Sequence, residues 1–272
     1  MFLIPTVLSG LVALSAETRP ASRATTTQTS GDAAVDRLLD RLEKRGEGVH
    51  ALSARLQADF HDLVADDKQT KQGSLWFRRD KPNPKFKVIY DKSIYEDYQV
   101  ADVHEYLFDG RWLIEKHDKS RTYVRREIVA EGETIDPFRI GGPFPLPFGQ
   151  RKAEILEHFT ATLLPRSPKD PPGTDHLKLV PYKHSPMVDK YVELHFHIDQ
   201  KIELPIRVVS HQRRPGSTEV DEIVSVSFKD IQVNPTISDG VLMIAKPTGK
   251  DWHLSEEPLG PNPPPPTHRS PP

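Results

Sequence analysis

Cysteine is absent from the 272 residues. That excludes disulfides, thiolate metal sites, a cysteine nucleophile and a lipidated N-terminal cysteine in one step. Neither charge sign dominates: the formal net charge is −2, so the chain has no electrostatic footprint for a nucleic-acid partner. No His-Glu-x-x-His, Gly-x-Ser-x-Gly or phosphate-binding glycine loop occurs. Internal repeats of 20–50 residues are also missing. After the first 14 residues, no apolar run approaches the ~20 residues of a membrane-spanning helix.

What is present is period-two alternation, the mark of β-strands. It is strongest between Gly73 and Arg126. Leu75 and Phe77 share one face there, with Trp76 and Arg78 on the other. After the Pro82-Asn83-Pro84 corner, Phe86, Val88 and Tyr90 alternate with Lys85 and Lys87. Tyr106 and Phe108 lead into Asp109-Gly110, a pair suited to a type I′ hairpin turn, and Trp112 and Ile114 return from it. Further strands are expected at 52–64, 159–164, 177–180, 191–200, 204–211 and 222–233, about ten or eleven in total. The 26 prolines fit many short strands and loops better than helices.

Two helices are expected. Asp32 can cap the first, and Val35, Leu38, Leu39 and Leu42 recur along it at helical spacing until Gly46 and Gly48 end it. Residues 151–158 can form a second, short one with Ile155 and Leu156 on one side. Between them, residues 135–150 are too rich in proline and glycine for a central strand, yet carry Phe138, Phe144, Leu146 and Phe148. A segment this apolar has reason to be there if it covers something.

The first 16 residues read as a secretory signal peptide, with small residues for cleavage near Ser15 or Ala16. Residues 17–31 read as a disordered leader and 255–272 as a proline-rich tail, leaving 32–254 as the folded domain. His195 and His197 share a strand face near Glu193 and Asp199, so a His-x-His metal pair is conceivable. The preferred reading is the polar outer side of a half-buried strand, with no catalytic residue, metal or cofactor expected.

Taken in order, several stretches resemble the periplasmic outer-membrane lipoprotein carrier family (LolA-like). They are the amphipathic helix at 32–44, GSLWFRR at 73–79 followed by Pro82 and Phe86, and FDGRW at 108–112. Asp136-Pro137-Phe138, Ile202 to Pro205, FKDIQVNP at 228–235 and KPTGKD at 246–251 complete the series. The resemblance implies an incomplete antiparallel β-barrel whose concave apolar side is closed by helices and a lid at 140–164. It implies a monomeric, periplasmic carrier for lipoprotein acyl chains, served by an inner-membrane lipoprotein-releasing transporter and an outer-membrane acceptor. Leu75, Phe77, Phe86, Val88, Tyr90, Trp112, Phe144, Leu146 and Phe148 would then line the acyl-chain cavity, and Arg79 would tie the lid to the barrel. The alternative keeps the fold and makes the chain an envelope lipid-binding or stress-sensing protein. A secreted hydrolase using His195 or His197 is the third reading.

Overall fold

The computed structural model describes residues 31–134 and 149–259. The signal peptide, nearly all of the leader, most of the tail and the cavity residues Phe144, Leu146 and Phe148 therefore lie outside the described residues.

The chain runs α1 (Ala33–Glu47), β1 (Ala51–Asp62), β2 (Asp67–Arg78), β3 (Lys85–Tyr95), β4 (Gln99–Phe108), β5 (Trp112–His117) and β6 (Thr122–Glu127). It continues through α2 (Lys152–His158), β7 (Phe159–Leu164), β8 (Thr174–Pro181), β9 (Tyr191–Asp199), β10 (Pro205–Gln212), β11 (Glu222–Val233) and β12 (His253–Glu257). All twelve strands join one sheet in the order β12-β6-β5-β4-β3-β2-β1-β11-β10-β9-β8-β7. Its ends, β12 and β7, do not pair with each other, so the sheet is an open half-barrel. Neighbours are antiparallel except β12, which runs parallel to β6.

Alternation decides the two faces. On the inner face of β1 to β5, Leu52, Ala54, Leu56, Leu75, Phe77, Phe86, Phe108 and Leu113 form one buried cluster with Val49, Val129 and Leu204. Farther along the sheet, Leu177, Leu179 and Ile198 meet Val35, Leu38 and Leu39 of α1 and Ile155 and Leu156 of α2. The helices therefore cover the inner face at its β7-β8-β9 end. Asp32 caps α1 by accepting from the Ala34 and Val35 amides, and Lys152 binds Asp40 (2.8 Å) and Asp36 (3.3 Å) to join the two helices.

The outer face is covered as well, which alternation alone does not foretell. The crossover from β11 to β12 lays Ile237 and Leu242 over Ala51, Leu107, Trp112, Ile114 and Tyr123, with Trp76 and Trp252 at the margin. Arg78 fastens this crossover. It donates to both carboxylate oxygens of Asp80 (2.6 and 2.8 Å), to Asp239 (2.5 Å) and to the Ile237 carbonyl (2.7 Å).

Three expectations are corrected. The folded part extends beyond residue 254, because His253–Glu257 forms β12, held by an Arg126–Glu257 ion pair of 2.7 Å. The β4–β5 turn is not type I′. Of the two residues between Asp109 and Trp112, only Gly110 has positive φ, whereas type I′ requires it at both, and the Trp112 amide donates to the Asp109 side chain. Trp112 does not line the concave side: it shares the outer face with Leu107 and Ile114, opposite Phe108 and Leu113.

A β-bulge at Asp91 immediately precedes the Gly73–Tyr90 pair, and a Cβ on Gly73 would collide with the Ile89 carbonyl oxygen. Gly73→Ala should force β2 and β3 apart and cost at least ~1–3 kcal/mol in urea unfolding, the range of overpacking. Gly240→Ala, with open space around its Cβ, should be near neutral. Equal midpoints for the two variants would contradict this packing.

Candidate functional site

The inner face is a trough with two different ends. At the end where β1 begins and β2 finishes, its floor is aromatic: Phe86 and Phe108 lie 6.0 Å apart, beside Phe77, which is fully buried. Val88, Tyr90 and Phe228 continue the apolar stripe and are only partly buried. Leu75, Phe77, Phe86, Val88 and Tyr90 are thus brought together on one surface, whereas Trp112 is not.

Arg79 stands at the aromatic end. It donates to the carbonyls of Gly46 (3.1 Å) and Val49 (3.2 Å), so a residue beyond β2 grips the C-terminal turn of α1. Helix C-termini leave carbonyls without intrahelical partners, and a guanidinium satisfies them while opposing the negative end of the helix dipole.

The opposite end is polar. Lys71 shares the inward parity of Gly73, Leu75 and Phe77, is 8% exposed, and holds its ammonium 5.8 Å from the ring centres of both Phe60 and Tyr90. Among the described residues it makes no ion pair. Burial lowers its pKa, partly opposed by Asp102 and Glu115. Nearby, His104 meets Glu115 at 3.0 Å and stacks on His117, which meets Asp102 at 2.7 Å. Tyr106 contacts His104 at 3.3 Å. Burial tends to raise the Glu115 carboxyl, but His104, Arg126 and His117 outweigh it and hold the pKa below the usual range. Burial pushes the Tyr90 phenol up to about 12. Sequence reasoning missed Lys71, His104 and His117, although their parity with Phe77, Phe108 and Leu113 points them inward.

One small cavity of 270 Å³ lies between α1 and β8–β9, lined in part by Leu38, Leu42 and Ile198 and rimmed by Arg41, which pairs with Asp175 and Glu203. It falls below the ~300–1,000 Å³ usual for small-molecule sites.

A second polar assembly occupies the outer face of β8, β9 and β10. His195 and His197 do not act as one pair: His197 groups with Asp170 and His176, and His195 with Glu193 and His211. Asp199 belongs to neither group and accepts from the Lys201 and Ile202 amides at the turn after β9. Burial, reinforced by the nearby His176, lowers the His197 pKa to about 4. Glu193 is held at about 2, because Lys178 and His195 outweigh the effect of burial.

The architecture is that of an open, mainly β half-barrel with helices over its concave face, the fold class that the sequence resemblance implied. No protein-family model matches the sequence, and no curated protein matches it. Among solved structures, the chain is similar to MucB at 12% identity and a TM-score of 0.45, over 79% of this chain and 64% of that one. The chain thus spans 64% of the length of MucB. It is similar to the Mycobacterium tuberculosis lipoprotein LppX at 11% identity and a TM-score of 0.42, over 76% and 98% of the two chains. A LolA superfamily protein from Nitrosomonas europaea matches at 10% identity and a TM-score of 0.35, over 77% and 97%. Likeness this distant carries no information about ligand or partner.

The lone Lys71 ammonium has a stability signature. Its folded-state pKa lies below the unfolded value, so the burial cost is full below the folded pKa and vanishes as pH rises past ~10.4. Lys71→Met should therefore raise the denaturation midpoint at pH 7, with the gain shrinking as pH climbs towards 10.4. A gain independent of pH would show that the ammonium bears no burial cost.

Proposed function

We propose that the trough is an acyl-chain site and that the protein is a periplasmic carrier moving lipoproteins towards the outer membrane. The observation that supports this reading is the amphipathic layout of the inner face. An apolar floor of Phe86, Val88, Tyr90 and Phe228 leads towards a buried ammonium and two histidines. Hydrocarbon tails match the floor, and the polar linkage of a lipid, with its carbonyl or phosphate oxygens, matches Lys71.

Burial of each methylene is worth about 0.8 kcal/mol, so one long acyl chain brings on the order of 10 kcal/mol. A carrier that kept all of this would not release its load. In this reading the lid supplies an opposing term, because an entering chain has to displace it from the apolar floor. Arg79 is placed to set part of that term, because opening α1 breaks its bonds to Gly46 and Val49. In this reading Phe144, Leu146 and Phe148 join the cavity from the lid.

Mass spectrometry of ligands extracted from protein purified out of its native envelope tests the function. An acylated lipoprotein supports the carrier, whereas free phospholipid favours the envelope lipid-binding alternative. Val88→Asp, at a half-buried floor position, should weaken binding of a fluorescent fatty acid at least ~10-fold, because a carboxylate would be buried against hydrocarbon. Unchanged affinity would remove the trough as the site. Arg79→Leu should speed hydrogen exchange at the C-terminal turn of α1 and shift fatty-acid release; a variant matching the parent in both would sink the latch role.

A further inference from the structure

We propose that Asp170, His176 and His197 form a binding site for a divalent transition-metal ion, with zinc best suited to the donor set. The site lies on the outer face, and nothing in it depends on the carrier reading. His176 on β8 and His197 on β9 are directly paired in register, so their rings project side by side with centres 4.3 Å apart. The third donor arrives from the proline-rich loop between β7 and β8. There Asp170 exchanges hydrogen bonds with Ser167: its amide donates to the Ser167 carbonyl (3.0 Å), and its Oδ2 accepts from the Ser167 amide (2.8 Å). That pair fixes the carboxylate and leaves Oδ1 facing His176 Nδ1 at 3.2 Å and His197 Nδ1 at 3.7 Å.

Two observations say that these atoms converge on a cation. The first is that His197 Nδ1 is buried without a hydrogen-bond partner, in a residue 4% exposed, while the Asp170 side chain is 5% exposed. An orphaned buried nitrogen is costly, and coordination removes the cost.

The second is the tautomer of His176. The Glu193 carboxylate only accepts, so His195 presents Nε2–H to it (3.0 Å) and uses Nδ1 to accept from His176 Nε2–H (2.8 Å). Neutral His176 is thereby left with a bare Nδ1 aimed at a carboxylate oxygen. Lone pairs face each other there unless a positive charge lies between them. In a tetrahedral zinc site with bonds of ~2.0–2.1 Å, neighbouring donors sit ~3.3 Å apart, close to the observed spacings. His195 and Glu193 then form the outer-sphere chain that orients a ligating imidazole. The neighbouring Glu193–His195–His211 group is not equivalent, because Lys178 already neutralises Glu193 at 2.6 Å. A bound ion would clasp the proline loop onto β8 and β9, on the side of the sheet opposite α1 and α2.

Untagged full-length protein, stripped with chelator and titrated with Zn²⁺ by calorimetry, tests the site. One ion per chain is expected. His197→Ala and the near-isosteric Asp170→Asn should abolish binding, and His195→Ala should weaken it ~10–100-fold as loss of an outer-sphere partner does. His211→Ala should leave it unchanged. Circular dichroism shows whether each variant folds, and Co²⁺ should give the visible absorption of a tetrahedral nitrogen–oxygen site in the parent and in His211→Ala, but not in His197→Ala or Asp170→Asn. Absence of stoichiometric Zn²⁺ binding would overturn the assignment. So would loss of binding in His211→Ala together with retention in folded Asp170→Asn.

Discussion

An open sheet that is apolar on both sides has to be covered on both sides, and most of the structure answers that constraint. Closing the barrel would have hidden the inner face and the edges together; here the edges stay apart, so separate pieces of chain do the covering. Helices α1 and α2 lie over the β7-β8-β9 end, Val49, Val129 and Leu204 pack into the β1 to β5 end, and the β11–β12 crossover seals the outside. Each piece is held by a polar clasp: Lys152 between the helices, Arg79 at the end of α1 and Arg78 on the crossover. Adjacent arginines at the end of β2 thus fasten opposite sides of the sheet, because successive residues leaving a strand point to opposite faces.

The division of labour has functional weight. A cover held by a few hydrogen bonds over an apolar floor can be displaced at modest cost, whereas a floor built from paired strands cannot. On the proposed carrier reading, movement would fall where Arg79 meets Gly46 and Val49, with the paired strands as the fixed reference. The outer face shows the opposite economy. There the crossover packs onto the strands and the histidine group meets Asp170 of the β7–β8 loop.

Much of this was legible in the residue order, and the failures have physical causes. Alternation placed Leu75 and Phe77 opposite Trp76, and it paired Trp112 with Ile114 correctly. It could not say which side was concave. The resemblance places Trp112 in the cavity, whereas the outer face beside it is buried too and takes the ring. The β12 segment carries no signal, since His253–Glu257 alternates weakly and is exposed along its length. The inward polar residues were readable from parity but were passed over, because Lys71 and His104 look like surface residues in isolation.

Local chemistry in the sequence by itself determined the element types: Asp32 as a helix cap, the 3.6-residue spacing of α1 and the two-residue alternation that sorts each strand into faces. These depend on neighbours within a turn or a pleat. The tertiary structure alone decided which far-apart residues meet. Cross-strand register put His176 beside His197, a folded-back loop delivered Asp170 to them, and the crossover chose the face of Trp112. Register and loop docking are set by the summed packing of the whole sheet, and no window of sequence contains that sum.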